Sequence, residues 1–359
     1  MRVIVSAGGT GGHIYPALAI INKIKQMEPD STFLYIGTTD RMEHNIIPSM
    51  NIPYLGIEIS GINRKNIFKN VKVYKNYKKA LTILKKEIKK FNPDVVLGVG
   101  GYVTAPVIYT AKKLGYKTFI HEQNSIPGVS NKFLSHYADK IGVSIPESIK
   151  YFPKDKAFIS GNPRSEEVIN SSVINKTELG LTPSKKLVMI VMGSLGSTTM
   201  SEKMKDTLTS FKNKEYEVLF ITGKNYYDSY KNTKISNVKI VPYLDNMPSV
   251  LKKTDLIVSR AGASTIAEIT ALGIPSILIP SPYVTHNHQL KNAMALEKEG
   301  ASLIIEEKDF TRDRLINDIE LILNDHDKYL KMKENAKKLG VVDSATRIYD
   351  TLRKLIDGE

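Results

Sequence analysis

The sequence predicts an α/β protein made of two doubly wound, Rossmann-like halves. Short β-branched runs alternate with amphipathic segments along nearly the whole chain, a rhythm typical of parallel sheets with right-handed crossovers. Glycine-rich or polar turns follow the strand runs, which is where open α/β sheets bind their ligands. Because the 359 residues are too many for one typical core, we expect two domains.

Strand-like runs form two sets, one in each half of the chain. The first set is RVIVS, TFLYIG, DVVLGVG, KTFIHE and KIGVS, and the second is KLVMIVMG, YEVLFITG, VKIVPYL, DLIVSR and PSILIP. Helices are predicted among them over 15–27, 104–114, 198–211 and 286–299. Each half is therefore expected to form its own parallel sheet.

A polar stretch near residue 164 marks the junction between the halves, because it contains glycine and prolines but no strand. We expect a first domain over 1–163 and a second over 164–340, facing each other across a cleft. One more amphipathic helix is predicted at about 341–359, and packing back on the first domain is one option for it.

Composition excludes several chemistries. The chain has no cysteine, so disulfides, thiolate catalysis and Cys-ligated metals are excluded. No apolar run approaches the roughly 18 residues that cross a bilayer, and no secretory signal is visible, so a cytoplasmic enzyme is expected. The net charge of +14 calls for an anionic partner: nucleic acid, an anionic membrane surface or a phosphorylated substrate.

The first strand runs into the sequence GGTGGH at residues 8–13. Glycines between a strand and a helix let a ligand approach the backbone at the helix N-terminus. A dinucleotide site is disfavoured, because the third glycine of Gly-x-Gly-x-x-Gly is replaced by Ile14 and no acidic residue ends the second strand. Similar loops follow later strands at 98–102 and 193–197, and together the three loops favour phosphate binding by backbone amides.

A fourth turn, in SRAGASTIAEI, has two interpretations. Thr265 and Glu268 have the spacing of a capping box, so Glu268 is either a helix cap or an acceptor for a ribose diol beside a helix-bound diphosphate. In the third loop, Thr198 and Thr199 are predicted helix caps. His, Asn and Gln cluster in SPYVTHNHQLKNA, and these residue types bind sugar hydroxyls. A metal is not expected there, because His286 and His288 do not share a helix face and no carboxylate completes a site.

The fragments GGTGGH, GVGGY, HEQNSIPG, GNPR, GSLGS and SRAGASTIAEI occur in this order over nearly the whole chain. Together they resemble the peptidoglycan N-acetylglucosaminyltransferases of glycosyltransferase family 28, which have the two-domain GT-B fold. The resemblance implies transfer of N-acetylglucosamine, with inversion, from UDP-N-acetylglucosamine (UDP-GlcNAc) to the C4 hydroxyl of undecaprenyl-pyrophosphoryl-muramoyl-pentapeptide. It implies no cofactor, and no Asp-x-Asp motif stands where a metal-dependent transferase needs one.

The resemblance also implies site residues. It implies donor or product binding by Thr10, Gly11, Gly12, Asn124 and Arg164. It implies that Ser194 contacts the diphosphate, that Leu244 binds uracil through its backbone and that Gln289 binds the hydroxyls of the sugar. Phosphate and ribose binding is implied for Ala263, Ser264, Thr265, Ile266, Ala267 and Glu268. Two positions depart from the pattern. Leu195 replaces a glutamine of many relatives, so it cannot supply that side-chain contact. His288 stands where some relatives have another glutamine, so its role is open.

A single-displacement reaction needs a general base. His13 is the first candidate, because an imidazole suits proton transfer near pH 7, although it could instead order its loop or cap its helix. Glu122 is the second candidate. Helix N-termini and glycine loops would stabilise the departing diphosphate.

Much of the positive charge lies in residues 64–90, which contain eleven Lys or Arg and one acidic residue. Apolar residues step through this segment by three or four, which predicts a helix. Its lysines are either simply solvated or, with Ile62, Ile67 and Phe68, dock the protein peripherally on the anionic cytoplasmic membrane face. Nucleic acid is not an expected partner, since no nucleic-acid motif accompanies the charge.

Two other functions remain as alternatives to the transferase that the resemblance implies. They are a lipid glucosyltransferase and a non-catalytic nucleotide-sugar or RNA-binding protein.

Overall fold

The structure, a computed structural model, describes residues 1–60, 69–193, 197–284 and 287–359, and it describes no side chain in 69–73. The chain divides into two compact units. Unit 1 contains 1–164 and 343–359, and unit 2 contains 165–342.

All the strands described are parallel to their neighbours, as predicted for α/β halves. The strands are β1 (Arg2–Ser6), β2 (Thr32–Thr38), β3 (Tyr54–Ile57), β4 (Val95–Gly98), β5 (Lys117–Glu122), β6 (Lys140–Val143), β7 (Ala157–Ile159), β8 (Leu187–Val191), β9 (Glu217–Ile221), β10 (Val238–Val241), β11 (Leu256–Ser259), β12 (Ser276–Leu278) and β13 (Ser302–Ile304). All ten predicted strands are confirmed. The three that were not predicted, β3, β7 and β13, are short strands at sheet edges.

The α-helices occupy the segments between strands. They are α1 (Gly11–Met27), α2 (Met42–Ser49), α3 (Lys69–Phe91), α4 (Thr104–Lys113), α5 (Val129–Leu134), α6 (Pro163–Asn170), α7 (Thr198–Thr207), α8 (Met247–Leu251), α9 (Ala263–Leu272), α10 (His288–Lys298), α11 (Arg312–Asn324), α12 (His326–Leu339) and α13 (Ser344–Asp357). The first helix starts four residues earlier than predicted, inside the glycine loop. The loop and the helix N-terminus are therefore one feature.

The strand order places the glycine loops. Unit 1 has the order β3-β2-β1-β4-β5-β6-β7, and unit 2 has β10-β9-β8-β11-β12-β13. The order reverses between β1 and β4 in unit 1 and between β8 and β11 in unit 2, and ligands of open α/β sheets bind outside the carboxyl ends of strands at such points. The first two glycine loops follow β1 and β4, and the third loop and the SRAGAS turn follow β8 and β11.

Burial explains why the central strands were easy to predict. Val3, Ile4 and Val5 of β1 are fully buried, because helices cover both faces of a parallel sheet. The C-terminal helix α13 belongs to unit 1, where Ile348 and Leu352 pack in the same apolar cluster as residues of α1. The Tyr349 hydroxyl also donates to Glu28 Oε1 at 2.9 Å, just after α1.

Candidate functional site

The first glycine loop ends at the N-terminus of α1. The Thr10 carbonyl accepts hydrogen bonds from the backbone of His13 (3.1 Å) and Ile14 (3.2 Å), while its side chain makes no cap bond. Gly11 and Gly12 open the helix, and first-turn N–H groups have no partner within a helix. Thr10 and Gly12 are exposed, so this end of α1 is accessible to an anion.

The second glycine loop packs directly against the first. The Gly8 N–H donates to the Gly100 carbonyl at 3.2 Å. A Cβ on Gly100 would lie 2.5 Å from His13 Cδ2, and one on Gly101 would lie 2.5 Å from the Gly8 oxygen. Both glycines also have positive φ, +106° and +90°. These two glycines are thus required for the close approach of the first loop and of the His13 ring.

His13 is half-buried and oriented by its own loop. Its Nδ1 lies 3.0 Å from the Gly8 carbonyl oxygen. A carbonyl only accepts, so Nδ1 carries the proton, and in the neutral ring the lone pair is on Nε2. The arrangement therefore presents Nε2 as a proton acceptor.

Glu122, the other candidate base, is engaged by the loop that follows β5. Its Oε1 accepts from the Asn124 backbone (3.0 Å) and Nδ2 (3.3 Å), and its Oε2 accepts from the Gly128 backbone (3.0 Å) and Asn131 Nδ2 (2.9 Å). The side chain is buried. Both oxygens thus hold the EQNSIPG loop in place, and Asn124 is positioned by this carboxylate. Nothing in the sequence pattern indicated Asn131.

His121 precedes Glu122 and is fully buried. Burial lowers its pKa to about 4, so the ring is neutral. Its Nε2 donates to the Gly161 carbonyl at 3.0 Å, and its Nδ1 accepts from Gln123 Nε2 at 3.0 Å. This network ties the end of β5 to the turn that carries GNPR.

Arg164 lies near the start of α1. Its backbone N–H donates to Asn162 Oδ1 at 3.1 Å, and its guanidinium lies 5.7 Å from the centre of the Tyr15 ring. Tyr15 is two residues beyond His13. Arg164 thus lies beside the N-terminal part of α1 through its contact with Tyr15.

The SRAGAS turn of unit 2 corrects one expectation. Helix α9 begins at Ala263 with Gly262 as N-cap and no side-chain cap bond, so the capping box of Thr265 and Glu268 is wrong. Glu268 is the sixth residue of the helix and is buried. The predicted stretch 263–268 therefore forms the first two turns of α9. Among the residues that the structure describes, the buried Ser264 Oγ has no hydrogen-bond partner.

Gln289 and Leu244 both lie in unit 2. Gln289 is in the first turn of α10, and its Oε1 accepts from the Ser281 backbone at 2.8 Å. That bond directs the carboxamide nitrogen, a donor, to other partners. Asn292 Nδ2 donates to the Ala261 carbonyl at 3.3 Å, which joins α10 to the SRAGAS turn. Leu244 lies between β10 and α8, where it is half-buried and packs against an apolar cluster of unit 2.

The third glycine loop is described only at its ends, so Ser194 and Leu195, like His286, lie outside the described residues. Gly193 has φ +92°. Ser197, rather than Thr198 or Thr199 as predicted, caps α7, its Oγ accepting from the Met200 backbone at 3.5 Å.

A buried ion pair fixes the far end of that loop. Arg260 Nη2 lies 2.7 Å from Glu307 Oε2 and donates to Ser197 Oγ at 2.7 Å. Both charged side chains are less than a tenth exposed. Glu307 lies in no sequence motif, and its partner Thr199 is 108 residues away along the chain. The sequence therefore did not predict its role.

No cluster of three or more His, Cys, Asp or Glu side chains suited to a metal ion occurs in the described part of the chain. Within the same residues, no helix has both the length and the apolar character needed to cross a bilayer.

Comparisons with known proteins cover the whole chain. Residues 3–143 match the glycosyltransferase family 28 N-terminal domain, and residues 187–348 match the family 28 C-terminal domain. A Bacillus cereus protein is 48% identical over 362 aligned positions, which cover 99% of this chain and 100% of that protein. It is named UDP-N-acetylglucosamine--N-acetylmuramyl-(pentapeptide) pyrophosphoryl-undecaprenol N-acetylglucosamine transferase 1. A transferase of the same type from Bacillus licheniformis is 47% identical over 99% of both chains.

Solved structures agree with the sequence relatives. The crystal structure of MurG from Acinetobacter baumannii superposes with a TM-score of 0.78 at 25% identity, covering 98% of this chain and 99% of that one. A UDP-GlcNAc 2-epimerase from Neisseria meningitidis, bound to UDP-GlcNAc, shares the fold at 15% identity, with a TM-score of 0.67 and coverage of 99% and 100%. The GT-B prediction is thereby confirmed.

Proposed function

Because the chain belongs to glycosyltransferase family 28, we propose that it transfers N-acetylglucosamine from UDP-GlcNAc to the C4 hydroxyl of undecaprenyl-pyrophosphoryl-N-acetylmuramoyl-pentapeptide. The product is the disaccharide lipid precursor of peptidoglycan. The observation that carries this proposal is the match along 99% of the chain to a transferase named for this acceptor and this sugar.

The donor binds to the second domain, residues 164–340. The N-terminus of α9 provides backbone N–H groups for the diphosphate, with the unpartnered hydroxyl of Ser264 beside them. The buried carboxylate of Glu268, in the second turn of α9, accepts hydrogen bonds from the ribose hydroxyls. Gln289 binds the hydroxyls of the sugar, and the backbone at Leu244 binds uracil. Ser194 keeps its proposed contact with the diphosphate.

The acceptor binds to the first domain, residues 1–163. His13 Nε2 is the base that takes the C4 hydroxyl proton, since Nδ1 is committed to the Gly8 carbonyl. Glu122 orders the loop that presents Asn124, because both of its oxygens are occupied there. The N-terminal end of α1, with Thr10, Gly11, Gly12 and the nearby Arg164, binds donor or product phosphates.

UDP release measured with pure protein tests this function. We expect release with UDP-GlcNAc plus a lipid-linked muramoyl-pentapeptide, and little release with UDP-glucose. Preference for UDP-glucose and a lipid without the muramoyl sugar would identify the lipid glucosyltransferase instead. Donor binding without turnover on any acceptor would indicate a nucleotide-sugar-binding protein.

The lipid acceptor places this reaction at the cytoplasmic membrane face, where we propose peripheral docking through α3. Ala80, Leu84 and Ile88 of α3 are buried in unit 1, so part of the predicted apolar stripe packs on its own domain. The described lysines of α3 are exposed on the remaining surface. They are Lys75, Lys78, Lys79, Lys85, Lys86, Lys89 and Lys90. Ile62, Ile67 and Phe68 lie outside the described residues. Such a cationic helix suits anionic headgroups, and we propose no nucleic-acid partner.

A further inference from the structure

One peptide group in the first glycine loop lies between His13 and a buried glutamate. The Gly8 carbonyl accepts from His13 Nδ1 at 3.0 Å, and the N–H of the same peptide group, on Gly9, donates to Glu43 Oε2 at 3.0 Å. The histidine and the carboxylate are therefore joined through a single amide. Glu43 was not among the residues that the sequence singled out.

Glu43 is built into this place. It is the second residue of α2 and is fully buried. Its Oε1 accepts from the Thr38 backbone at 3.1 Å and from Thr38 Oγ1 at 2.8 Å. No ion pair to Glu43 is found among the side chains that the structure describes. The hydrogen bonds to Glu43 thus come from neutral donors, one of which is the Gly9 amide, while the exposed Arg41 interacts with Glu43 through its charge alone.

Two glycines make room for this side chain. A Cβ on Gly8 would lie 2.3 Å from Glu43 Oε1, and a Cβ on Gly37 would lie 2.7 Å from Glu43 Cγ. Neither glycine has a positive φ, so neither is explained by backbone conformation. The same Cβ on Gly37 would also lie 2.4 Å from the Tyr54 hydroxyl oxygen, so Gly8 makes room for Glu43, and Gly37 makes room for both Glu43 and Tyr54.

We propose that Glu43 is a positioning residue that acts on His13 through the Gly8–Gly9 peptide, an inference that rests on the proposed function. A carboxylate that accepts from an amide N–H polarises the amide, which makes its carbonyl a stronger acceptor for the proton on Nδ1. A negative charge on Glu43 also favours the imidazolium form of the ring. Glu43 fixes the tautomer and strengthens Nε2 as a base, the task that a directly bonded carboxylate performs in a catalytic triad.

The reaction then balances as follows. The acceptor O4 forms a bond to the anomeric carbon, and the bond from that carbon to the diphosphate oxygen breaks. The electron pair of the broken bond leaves with UDP, and the hydroxyl proton moves to His13 Nε2. Glu43 takes no part in the proton transfer, and no proton crosses the peptide.

The other titratable groups around this chain do not replace Glu43. Burial, and after it the charge of Glu43, raises the pKa of both Tyr35 and Tyr54, so these phenols stay neutral. Arg41 is exposed, and the hydrogen bond to Tyr102 is the main cause that raises the pKa of Arg41. On the helix of His13 itself, Tyr15 lies against the Arg164 guanidinium.

Nitrogen-15 NMR of the His13 ring tests the coupling without an activity assay. In the wild-type protein at high pH we expect the Nδ1–H tautomer. In Glu43→Gln we expect the pKa of His13 to fall by about one unit, because a neutral side chain replaces a charge that acts through a short buried path. In the UDP-release assay, the acid limb of the kcat profile should move to lower pH by the same amount, with a plateau about tenfold lower and an unchanged donor KM.

The matched control is Glu217→Gln. Glu217 is also buried and accepts from the backbone N–H (2.7 Å) and hydroxyl (2.8 Å) of Thr182, but it lies in unit 2, whereas His13 lies in unit 1. It should leave the titration of His13 unchanged. An equal His13 pKa in wild type and Glu43→Gln would overturn the inference.

The NMR test can still be made if Glu43→Gln fails to fold. An Nε2–H tautomer in the wild-type protein alone would overturn the inference, and an Nδ1–H tautomer would support it. If the tautomer and pKa shift appear but no acceptor supports UDP release, the proposed function fails while the coupling of Glu43 to His13 stands.

Discussion

At the residue scale, Glu268 distinguishes ligand binding from helix capping. A lost cap costs about 1 kcal/mol of stability, but the N-cap of α9 is Gly262, and Glu268 lies six residues further on. Hydrogen bonds to a charged group contribute about 1.5–3 kcal/mol. We therefore expect Glu268→Ala to raise the donor KM by about 10- to 100-fold with a small change in melting temperature.

Glu334→Ala is the control for this prediction. Glu334 is exposed on α12 of the same unit and pairs with Lys338, so its removal tests the loss of a carboxylate that binds no ligand. Steady-state kinetics and thermal unfolding of both variants decide the matter. If Glu268→Ala has a lower melting temperature but normal donor affinity, Glu268 has only a structural role.

His13 and Glu122 are separated by the same kind of comparison. Loss of a general base costs about 10²- to 10⁴-fold in rate, so His13→Ala should lower kcat by that factor and leave donor binding, measured by calorimetry, unchanged. Glu122→Gln places an amide among four hydrogen-bond donors, so it should mainly lower the melting temperature. Wild-type turnover by a folded His13→Ala protein would contradict the assignment.

At the element scale, the end of β5 gives the molecule an acid-sensitive point. His121 has an ordinary pKa near 6.5 when unfolded, and burial lowers it to about 4 in the folded state. The folded state thus binds fewer protons, so stability is complete above about pH 6.5 and is lost as the pH falls toward 4. The loss amounts to about 3 kcal/mol over that range.

Denaturant titrations between pH 7 and pH 4 measure this effect. His121→Gln should be less stable at pH 7, yet its stability should fall less steeply with acid than that of the wild type. His136→Gln, which replaces an exposed histidine, should keep the wild-type slope. Parallel slopes for wild type and His121→Gln would show that other groups cause the acid sensitivity.

Elements differed in how well the sequence predicted them. Central strands such as β1 are buried on both faces and read as continuous apolar runs, so they were found. Edge strands such as β13 have three residues, two of them only half-buried, and give no such signal. The cap of α9 was predicted wrongly because Thr265 and Glu268 match a local capping pattern, whereas the helix begins at Ala263 with Gly262 as N-cap and no side-chain cap bond.

At the scale of the whole molecule, the site was predictable where its residues are close in sequence. The glycine loops, His13 and the α9 segment each form a contiguous motif. Glu43 and Glu307 carry no motif, because their partners Gly9 and Thr199 lie 34 and 108 residues away. Such residues meet only when the chain folds. Pairings over long sequence distances do not affect the local hydrophobic periodicity of the sequence.

The charge of the whole molecule leads to the last prediction. Lys75, Lys79, Lys86 and Lys90 are exposed on α3, at helical spacings that place them along one side. Each lysine near an anionic bilayer contributes about 1 kcal/mol, and the attraction decays within about 8 Å at physiological salt. Reversal of all four to Glu should weaken binding to phosphatidylglycerol vesicles by at least about a thousandfold.

Lys331, Lys333, Lys337 and Lys338 of α12 provide the control, because they are also exposed and their reversal changes the net charge equally. If docking depended on net charge alone, both quadruple variants would lose vesicle binding to the same extent. Docking through α3 requires that only the α3 variant is released in sedimentation assays, and that raised salt releases the wild type in the same way. Because these lysines are distant in sequence from the α9 donor segment, UDP release with a short-chain, water-soluble acceptor should change little. An α3 variant that still sediments at moderate salt would show that its lysines are merely solvated and that another surface meets the membrane.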